Sequence, residues 1–258
     1  MKKALEKIVR NVETNNAFNP RWYSIIFHPF YITRMALFNR IKAFADTLKP
    51  NQRILDVGCG TKPYESLFKT KDFVGIDVEG GGLDDKKKSV DTYFDGEHIP
   101  FPDNEFDVVI ATEVFEHVSN LDLLTQEIHR VLKKNGQVLI TMPFVWSEHS
   151  VPYDFRRFTS FGHKKNLTEH HFHSIETRPT TGVFGTSGQI ISDFIAVSSF
   201  NWIERMPSSG LGYKFKFVLE RLIVILFCFP IQLVFLCLDK VFGHRGITLD
   251  FIVTAKKS

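Results

Sequence analysis

Alternation between short apolar strands and helical segments constrains this chain of 258 residues more than any other feature. A helical pattern ends at Pro50 and Asn51, and β-branched runs separated by helical stretches follow it. This alternation predicts an α/β fold with a mainly parallel sheet. The predicted strands cover residues 53–57, 73–77, 89–93, 106–112 and 136–142, with a further pair at 173–180 and 248–255.

Three segments are predicted along the chain. Residues 1–50 form helices, 51–182 with 247–258 form the α/β domain, and 183–246 form an apolar helical insertion before the last strand. A chain of 258 residues suits one such domain with a few added helices. The stripe that predicts a helix in the first segment consists of Ile32, Met35, Ala36, Phe38, Ile41, Phe44 and Ala45.

The helix before the fifth strand has signals at both of its ends. Asn120 suits the N-cap, and Gly136 suits the C-terminal cap. Apolar residues at helical spacing predict its buried face, which contains Leu124, Ile128, Val131 and Leu132.

Composition argues against several classes of protein. The net charge of +3 comes without a cluster of Lys and Arg, so no nucleic-acid partner is expected, and the run at 86–88 is interpreted as a solvated loop. Cys59, Cys228 and Cys237 lack metal-ligand spacing and indicate a reducing, cytoplasmic compartment. The charged start of the sequence has no continuous apolar run, so no signal peptide is expected.

A strand at 54–57 runs into Gly58 and Gly60, and a helix is expected to follow. Glycine allows a sharp turn and lets a ligand approach the main-chain N–H groups beside the helix N-terminus. A dinucleotide-binding turn needs another glycine where this chain has Pro63. The turn therefore favours a nucleoside ligand without a pyrophosphate and argues against a dehydrogenase.

Acidic residues accompany the strands that border this turn. Asp56, two residues before Gly58, suits an ammonium group or the ordering of the loop. Asp77 ends the next strand about twenty residues further on, where a carboxylate accepts ribose hydroxyls. Asp95 or Glu97 then suits the adenine amino group. A ribose without a pyrophosphate favours S-adenosylmethionine over NAD as the cofactor.

Motifs between residues 50 and 160 occur in the order DVGCG, GIDV, DGEHIPFPDNEFDVV, EVFEHV and EIHRVLKKNGQVLITMPF. As an ordered set they resemble the type 11 branch of class I S-adenosylmethionine-dependent methyltransferases. The resemblance implies a doubly wound, mainly parallel seven-stranded sheet whose last strand is antiparallel. It also implies cofactor contacts from Asp56, Gly58, Gly60, Asp77, Asp95 and Glu113.

The loop at 143–159 follows the fifth strand, and sites in open α/β sheets lie at the carboxyl ends of strands. Residues 149–159 resemble an H-x-x-P-Y-D-F-x-R-[FY]-T pattern in a subset of these enzymes, many of them associated with bacterial surface glycans. We interpret His149 as a general base and Asp154 as the residue that orients it or binds substrate.

Other residues of this loop complete the candidate catalytic set. Tyr153 belongs to it, and Arg156 or Arg157 would steady an anionic group. The alternative is that Tyr153 and Phe155 pack the loop while its charges cap it.

Glu113, Glu116 and His117 have a spacing that would place them on one helical face. Such E-x-x-E-H arrangements resemble the divalent-cation sites of some quinone O-methyltransferases. The same letters are common in relatives without a metal, so no metal is predicted. Four further histidines are expected at the surface or at strand ends rather than as ligands: His163, His170, His171 and His173.

The insertion contains an uncharged stretch at 222–238, interrupted by Pro230 and Gln232. A straight membrane span usually needs about 20 apolar residues. A single crossing is disfavoured, since it would separate the last strand from its sheet. Three alternatives are a bent hairpin about Pro230 in one leaflet, helices in the membrane interface, and a lid or homodimer surface. Basic residues favour contact with anionic headgroups: Lys214, Lys216, Arg221, Lys240 and Arg245.

The sequence therefore predicts methyl transfer from S-adenosylmethionine to an oxygen of a glycan or lipid-linked acceptor at the inner face of the membrane. Methylation of a quinone or another lipid is the enzymatic alternative. A noncatalytic cofactor-binding or membrane-scaffold subunit is the alternative from another class, and the charged loop around His149 argues against it.

Overall fold

The structure, a computed structural model, describes residues 18–80, 85–205, 211–243 and 246–258, except for the side chains of 211–214. Two compact units are present. One, the α/β unit, contains Asn39–Thr180 and Asp250–Ser258. The other, the helical unit, contains Thr181–Leu249 and the chain up to Phe38. This division differs from the expected boundary at residue 50, because the N-terminal part is grouped with the insertion.

Most of the described residues lie in α-helices and β-strands. The helices are α1 (Tyr31–Ala45), α2 (Leu121–Val131), α3 (Ser160–Glu169), α4 (Val183–Glu204), α5 (Leu211–Ile223) and α6 (Phe229–Phe242). The strands are β1 (Ile54–Val57), β2 (Phe73–Val78), β3 (Thr92–Phe94), β4 (Phe106–Thr112), β5 (Leu132–Pro143), β6 (Phe172–Pro179) and β7 (Asp250–Lys257).

All seven strands form one sheet in the order β3-β2-β1-β4-β5-β7-β6. Strands β1 to β5 pair in parallel, and β7 is antiparallel to both β5 and β6. Its central strands are apolar and almost wholly buried, as expected where both faces of a sheet are covered. The predicted seven-stranded sheet with an antiparallel last strand is confirmed.

Helix α2 begins as the sequence predicts, because the Asn120 side chain accepts a hydrogen bond from the Leu123 main-chain N–H. Its apolar face is buried in the core of the α/β unit. The predicted end is wrong. The helix stops at Val131, Leu132 takes an extended conformation and begins β5, and Gly136 lies inside that strand.

The helix expected after the glycine turn is also absent from the described chain. Between β1 and β2 there is only a 3₁₀ turn at Glu65–Leu67. Lys62 has a φ of 50°, in the left-handed region that a right-handed helix does not use. The chain therefore does not enter a helix beside the turn, and a helix N-terminus contributes nothing to ligand binding there.

In the helical unit, α4 packs closely against α6. The Gly182 and Gly185 N–H groups each donate to the Asp239 carboxylate at 2.9 Å, which caps the start of α4. At Gly188 a Cβ atom would lie 2.5 Å from the Phe235 Cβ atom, so this contact requires glycine.

Helix α5 continues through a π-helical turn at Val224–Cys228 directly into α6. The π turn widens the backbone just before Pro230, where a regular helix would clash with the proline ring. The bent hairpin considered at Pro230 is therefore not formed. Residues Phe215–Phe242 make one helix of 28 residues, and its most apolar window of 18 residues has a mean hydropathy of 2.5. By length and composition this helix is long and apolar enough to cross a membrane.

Candidate active site

The glycine turn lies at the carboxyl end of β1, beside the parallel strands β2 and β4. Gly58 and Gly60 have φ values of 69° and 49°. The Gly58 and Cys59 N–H groups donate to the Ile76 carbonyl at 2.8 and 3.0 Å, and the Gly60 N–H donates to Asp77 Oδ2 at 2.8 Å. The turn is therefore fixed to β2 by three main-chain donors.

The Val114 side chain fills the space where a Gly58 side chain would lie. A Cβ atom on Gly58 would lie 2.5 Å from Val114 Cγ2. Glycine is therefore required here both by its backbone conformation and by the close approach of Val114.

Asp77, at the end of β2, is held by the Val78 N–H at 2.8 Å and by Lys88 Nζ at 3.3 Å. The interpretation of 86–88 as a solvated loop is wrong for Lys88, whose side chain is only 1% exposed. Its ammonium also pairs with Asp85 at 3.0 Å, and these two carboxylates compensate its burial. Nothing in the run of three lysines indicated that Lys88 would bind Asp77, the candidate ribose-binding residue.

Asp56 is buried within β1, and its Oδ1 atom has no hydrogen-bond partner among the described residues. Burial raises the pKa of this carboxyl well above its usual range, although Lys62 opposes the shift. A bound ammonium group would favour its ionised form.

The Asp95 side chain is exposed and accepts hydrogen bonds from main-chain N–H groups of its own loop. Its Oδ1 atom accepts from the Glu97 and His98 N–H groups at 2.7 and 2.6 Å. Hydrogen bonds from His98 and Glu97 lower the pKa of Asp95 to about 2. The carboxylate orders the turn after β3, and Glu97 lies half-buried beside it.

Glu113 follows β4 with a φ of 57°, in the left-handed region that a side chain rarely adopts. Its N–H donates to the Thr141 carbonyl at 3.1 Å, and Thr141 Oγ1 donates to Glu113 Oε1 at 2.8 Å. Glu113 is thus tied to β5 at the carboxyl edge of the sheet, where strained residues are characteristic of functional sites.

The structure brings His149 and Asp154 together. The His149 N–H donates to Asp154 Oδ2 at 3.0 Å, and His149 Nδ1 lies 3.3 Å from the same oxygen. Arg157 binds both Asp154 oxygens, at 2.5 and 2.8 Å. This guanidinium lowers the pKa of Asp154 to about 2, so the carboxylate beside His149 is ionised at neutral pH.

Arg156 has a different role from the one expected. Its guanidinium donates to the main-chain carbonyls of Phe115, Val118 and Ser119. These bonds fasten the loop to the turn after β4, so we reassign Arg156 from anion binding to holding the loop. Tyr153 is 58% exposed, and its ring lies edge-to-face with Phe155.

The expected helical face of Glu113, Glu116 and His117 does not exist, because Phe115–His117 is a 3₁₀ turn and Glu113 is left-handed. Glu116 instead faces the loop after β5. Its Oε1 atom lies 3.6 Å from His117 Nε2 and 3.9 Å from His149 Nε2. The sequence pattern placed Glu116 and His117 together, but nothing in the sequence indicated that His149, 32 residues after His117, would join them.

His163 and His170 are buried, at 2% and 8% exposure, which corrects the expectation that they lie at the surface. His163 packs edge-to-face between Phe158 and Phe251, and within the described chain its Nε2 atom has no hydrogen-bond partner. Burial lowers the pKa of His163 to about 4. His171 and His173 are exposed, as expected.

His163 should make the α/β unit sensitive to acid. Its pKa is about 4 when folded and about 6.5 when unfolded. The unfolded chain therefore binds the extra proton, and stability falls as the pH drops from 6.5 through 4, by up to about 3 kcal/mol. Denaturant unfolding at pH 7 and pH 4.5 should show a smaller pH effect in His163→Leu. His173→Gln should behave like the parent, and an equal loss in all three proteins would contradict the assignment.

Comparison with known proteins agrees with this geometry. Residues 55–140 match the family model described as a methyltransferase domain. A sterol 24-C-methyltransferase of Gibberella zeae is 36% identical over 104 residues, 34% of this chain and 27% of that protein. A demethylmenaquinone methyltransferase of Symbiobacterium thermophilum is 32% identical over 129 residues, 44% of this chain and 48% of that protein. The matches thus span less than half of these relatives.

A solved S-adenosylmethionine-dependent methyltransferase of Thermotoga maritima has a similar fold, with a TM-score of 0.52 at 15% identity, covering 89% of this chain and 93% of that one. The sheet order, the glycine turn and the matched motifs lead to one assignment. Residues 55–140 of this chain therefore match a methyltransferase domain, and the chain has the fold of an S-adenosylmethionine-dependent methyltransferase.

Proposed function

We propose that this chain transfers the methyl group of S-adenosylmethionine to an oxygen of a glycan or lipid-linked acceptor at the cytoplasmic face of a membrane. The observation that carries the methyl transfer is the meeting of the glycine turn, Asp77 and Glu113 at one edge of the parallel sheet. The fold alone does not determine the reaction, so the proposed methyl transfer depends on these residues.

The residues at this edge fit the cofactor. Asp77 would accept the ribose hydroxyls, Asp56 would receive the ammonium group, and Asp95 or Glu97 would meet the adenine. The Oδ1 atom of Asp56, which has no hydrogen-bond partner among the described residues, supports this role, because a buried carboxyl oxygen without a hydrogen bond is stabilised by a cation or a proton. S-adenosylmethionine supplies a methyl group bonded to a positively charged sulfur.

His149 would prepare the acceptor. An acceptor hydroxyl gives its proton to His149 Nε2 while its oxygen bonds to the methyl carbon, and the C–S electron pair returns to sulfur. The ionised Asp154 beside Nδ1 favours the ring orientation that leaves Nε2 available.

A quinone or another lipid is the second candidate acceptor. It is favoured by the exposed apolar surface of the insertion and by the similarity to the demethylmenaquinone methyltransferase. Incubating the protein with labelled S-adenosylmethionine and membrane lipid extracts should yield a labelled product, whose identification decides between the acceptors. The proposal predicts calorimetric binding of S-adenosylhomocysteine but not of NAD. Binding of NAD alone would overturn it.

Membrane contact is supported by the exposed side of the helix at Phe215–Phe242, since only 22% of its most apolar window is buried. Lys216, Arg221 and Lys240 accompany this surface, where they would meet anionic headgroups. The Lys214 side chain and Arg245 lie outside the described residues. Exposed apolar residues of α5, the π turn and α6 include Phe215, Phe217, Leu222, Leu226, Phe227, Leu233 and Val234.

Both ends of the insertion return to one place in the sheet, because Pro179 of β6 pairs with Phe251 of β7. A single crossing would separate these paired strands, so the apolar helix would lie in the interface or enter the membrane together with α4.

The expressed protein should pellet with membranes and be released by detergent. The double variant Leu226→Glu and Phe227→Glu changes two side chains that are 61% and 55% exposed. This variant should move mostly into the soluble fraction, because charge disfavours lipid burial. Ser198→Glu, at an exposed polar position of α4, is the control and should still pellet. A parent protein that stays soluble and monodisperse without detergent would disprove membrane contact, and a soluble dimer would assign the surface to a second copy.

A further inference from the structure

Glu116, His117 and His149 form a cluster of three side chains that could each offer one ligand atom to a metal. These atoms lie within 4.8 Å of one another. Glu116 and His117 come from the turn after β4, and His149 comes from the loop after β5. Two strand ends therefore supply the cluster, and Glu113, which binds Thr141, is not part of it.

The Glu116 carboxyl is the independent observation that points to a ligand. Its side chain is 0% exposed, and neither of its oxygens has a hydrogen-bond partner in the part of the chain that the structure describes. Its Oε1 atom nevertheless faces two imidazole nitrogens, at 3.6 and 3.9 Å. A buried carboxyl without hydrogen bonds costs several kcal/mol unless it is protonated or bound to a cation.

Both imidazole rings are oriented through their other nitrogen. His117 Nδ1 lies 2.5 Å from the Tyr153 carbonyl, so it donates there and leaves Nε2 with a free lone pair. His149 Nδ1 lies 3.2 Å from the Ser147 carbonyl and 3.3 Å from Asp154 Oδ2, with the same consequence. Histidine ligands in proteins usually donate their second N–H to a carbonyl or carboxylate in this way.

We propose that Glu116, His117 and His149 bind a divalent first-row transition-metal ion such as Zn²⁺. Two imidazoles and one carboxylate suit such an ion, whereas Mg²⁺ prefers oxygen ligands. Tetrahedral zinc with bonds of about 2.0–2.1 Å separates its ligand atoms by about 3.3 Å. The observed 3.6 and 3.9 Å need only a small contraction.

Three protein ligands leave a coordination position open, as in catalytic rather than structural zinc sites. This inference goes beyond the proposed function, because it assigns His149 Nε2 to an ion. In the metal-free state His149 Nε2 is available to accept a proton, as the proposed function requires. In the metal-bound state His149 Nε2 is a ligand, and the fourth coordination position would hold an acceptor oxygen.

Titration calorimetry of the full chain with Zn²⁺ and with Mg²⁺ tests the proposal. The parent should bind one Zn²⁺ per chain and give no Mg²⁺ signal. Glu116→Gln, His117→Gln and His149→Gln should each weaken Zn²⁺ binding at least about tenfold, since even a residue that only orients a ligand contributes that much. Glu148→Gln, an exposed neighbour of His149, is the matched control and should bind like the parent.

Cobalt absorption on the parent protein gives a test that needs no variant. Co²⁺ should produce a visible band of low-symmetry N/O coordination that stoichiometric Zn²⁺ removes. Absence of this band, or Zn²⁺ binding that the three variants leave unchanged, overturns the proposal. Binding of S-adenosylhomocysteine is measured in the same samples, so failure of the metal site and failure of the proposed methyl transfer are separate results.

Discussion

His149→Gln is expected to lower the turnover number about 10²- to 10⁴-fold, the usual contribution of a general base. Glutamine keeps a polar side chain but cannot accept the proton from the acceptor. The ribose and glycine-turn contacts do not involve His149, so the affinity for S-adenosylhomocysteine should stay within about twofold. Labelled product formation and calorimetry provide the two measurements.

A chelator must be present in this experiment, because it removes any metal-dependent contribution of His149. Glu148→Gln again serves as the control and should retain the parent rate. Asp154→Asn should lower kcat without raising KM, since Asp154 positions the ring through contacts of 3.0 and 3.3 Å. Unchanged turnover in His149→Gln would show that another group, or no group, takes the proton.

Strand positions were predictable because each strand depends on local periodicity, except for β3, which was expected at 89–93 and lies at Thr92–Phe94. A buried strand surrounded by apolar neighbours carries that signal in its own residues, as Phe106–Thr112 illustrates. The glycine turn and Asp77 were predictable for a related reason: successive strand ends of a parallel sheet meet at one edge.

Side-chain partners that depend on loop paths were not predictable. Lys88 reaches Asp77 across a turn, and nothing in a run of lysines distinguishes it from Lys86 and Lys87. Glu116 meets His149 because the left-handed Glu113 redirects the chain after β4 away from a helix. Sequence patterns predict neither of these two contacts, since both depend on backbone conformations that are fixed only in the folded chain.

The path of the insertion was likewise not predictable from the sequence. Its apolar character follows directly from composition, but the path through Pro230 depends on a π turn that accommodates the proline ring. Asp239 reads as a polar interruption at the end of an apolar helix, yet it caps α4 through Gly182 and Gly185.

Gly58→Val is expected to weaken S-adenosylhomocysteine binding at least about 100-fold. A side chain at a φ of 69° costs roughly 1–2 kcal/mol, and its Cβ atom would lie 2.5 Å from Val114 Cγ2. The turn can relieve this overlap only by moving away from Ile76 and Asp77, which hold it. Because each tenfold loss of affinity corresponds to about 1.4 kcal/mol, the strain and overlap together account for the expected effect. Calorimetry with S-adenosylhomocysteine measures it.

Two companion variants separate the overlap from the backbone strain. Gly58→Ala combined with Val114→Ala removes the overlap but keeps the strain, so it should bind more tightly than Gly58→Ala alone. Gly246 has a φ of 87°, and no atom of the described residues lies within 4 Å of an added Cβ, so Gly246→Ala should lower stability without changing affinity. If Gly58→Val folded normally and bound S-adenosylhomocysteine like the parent, the glycine turn would not border the cofactor. The methyl donor would then have to bind elsewhere in the α/β unit.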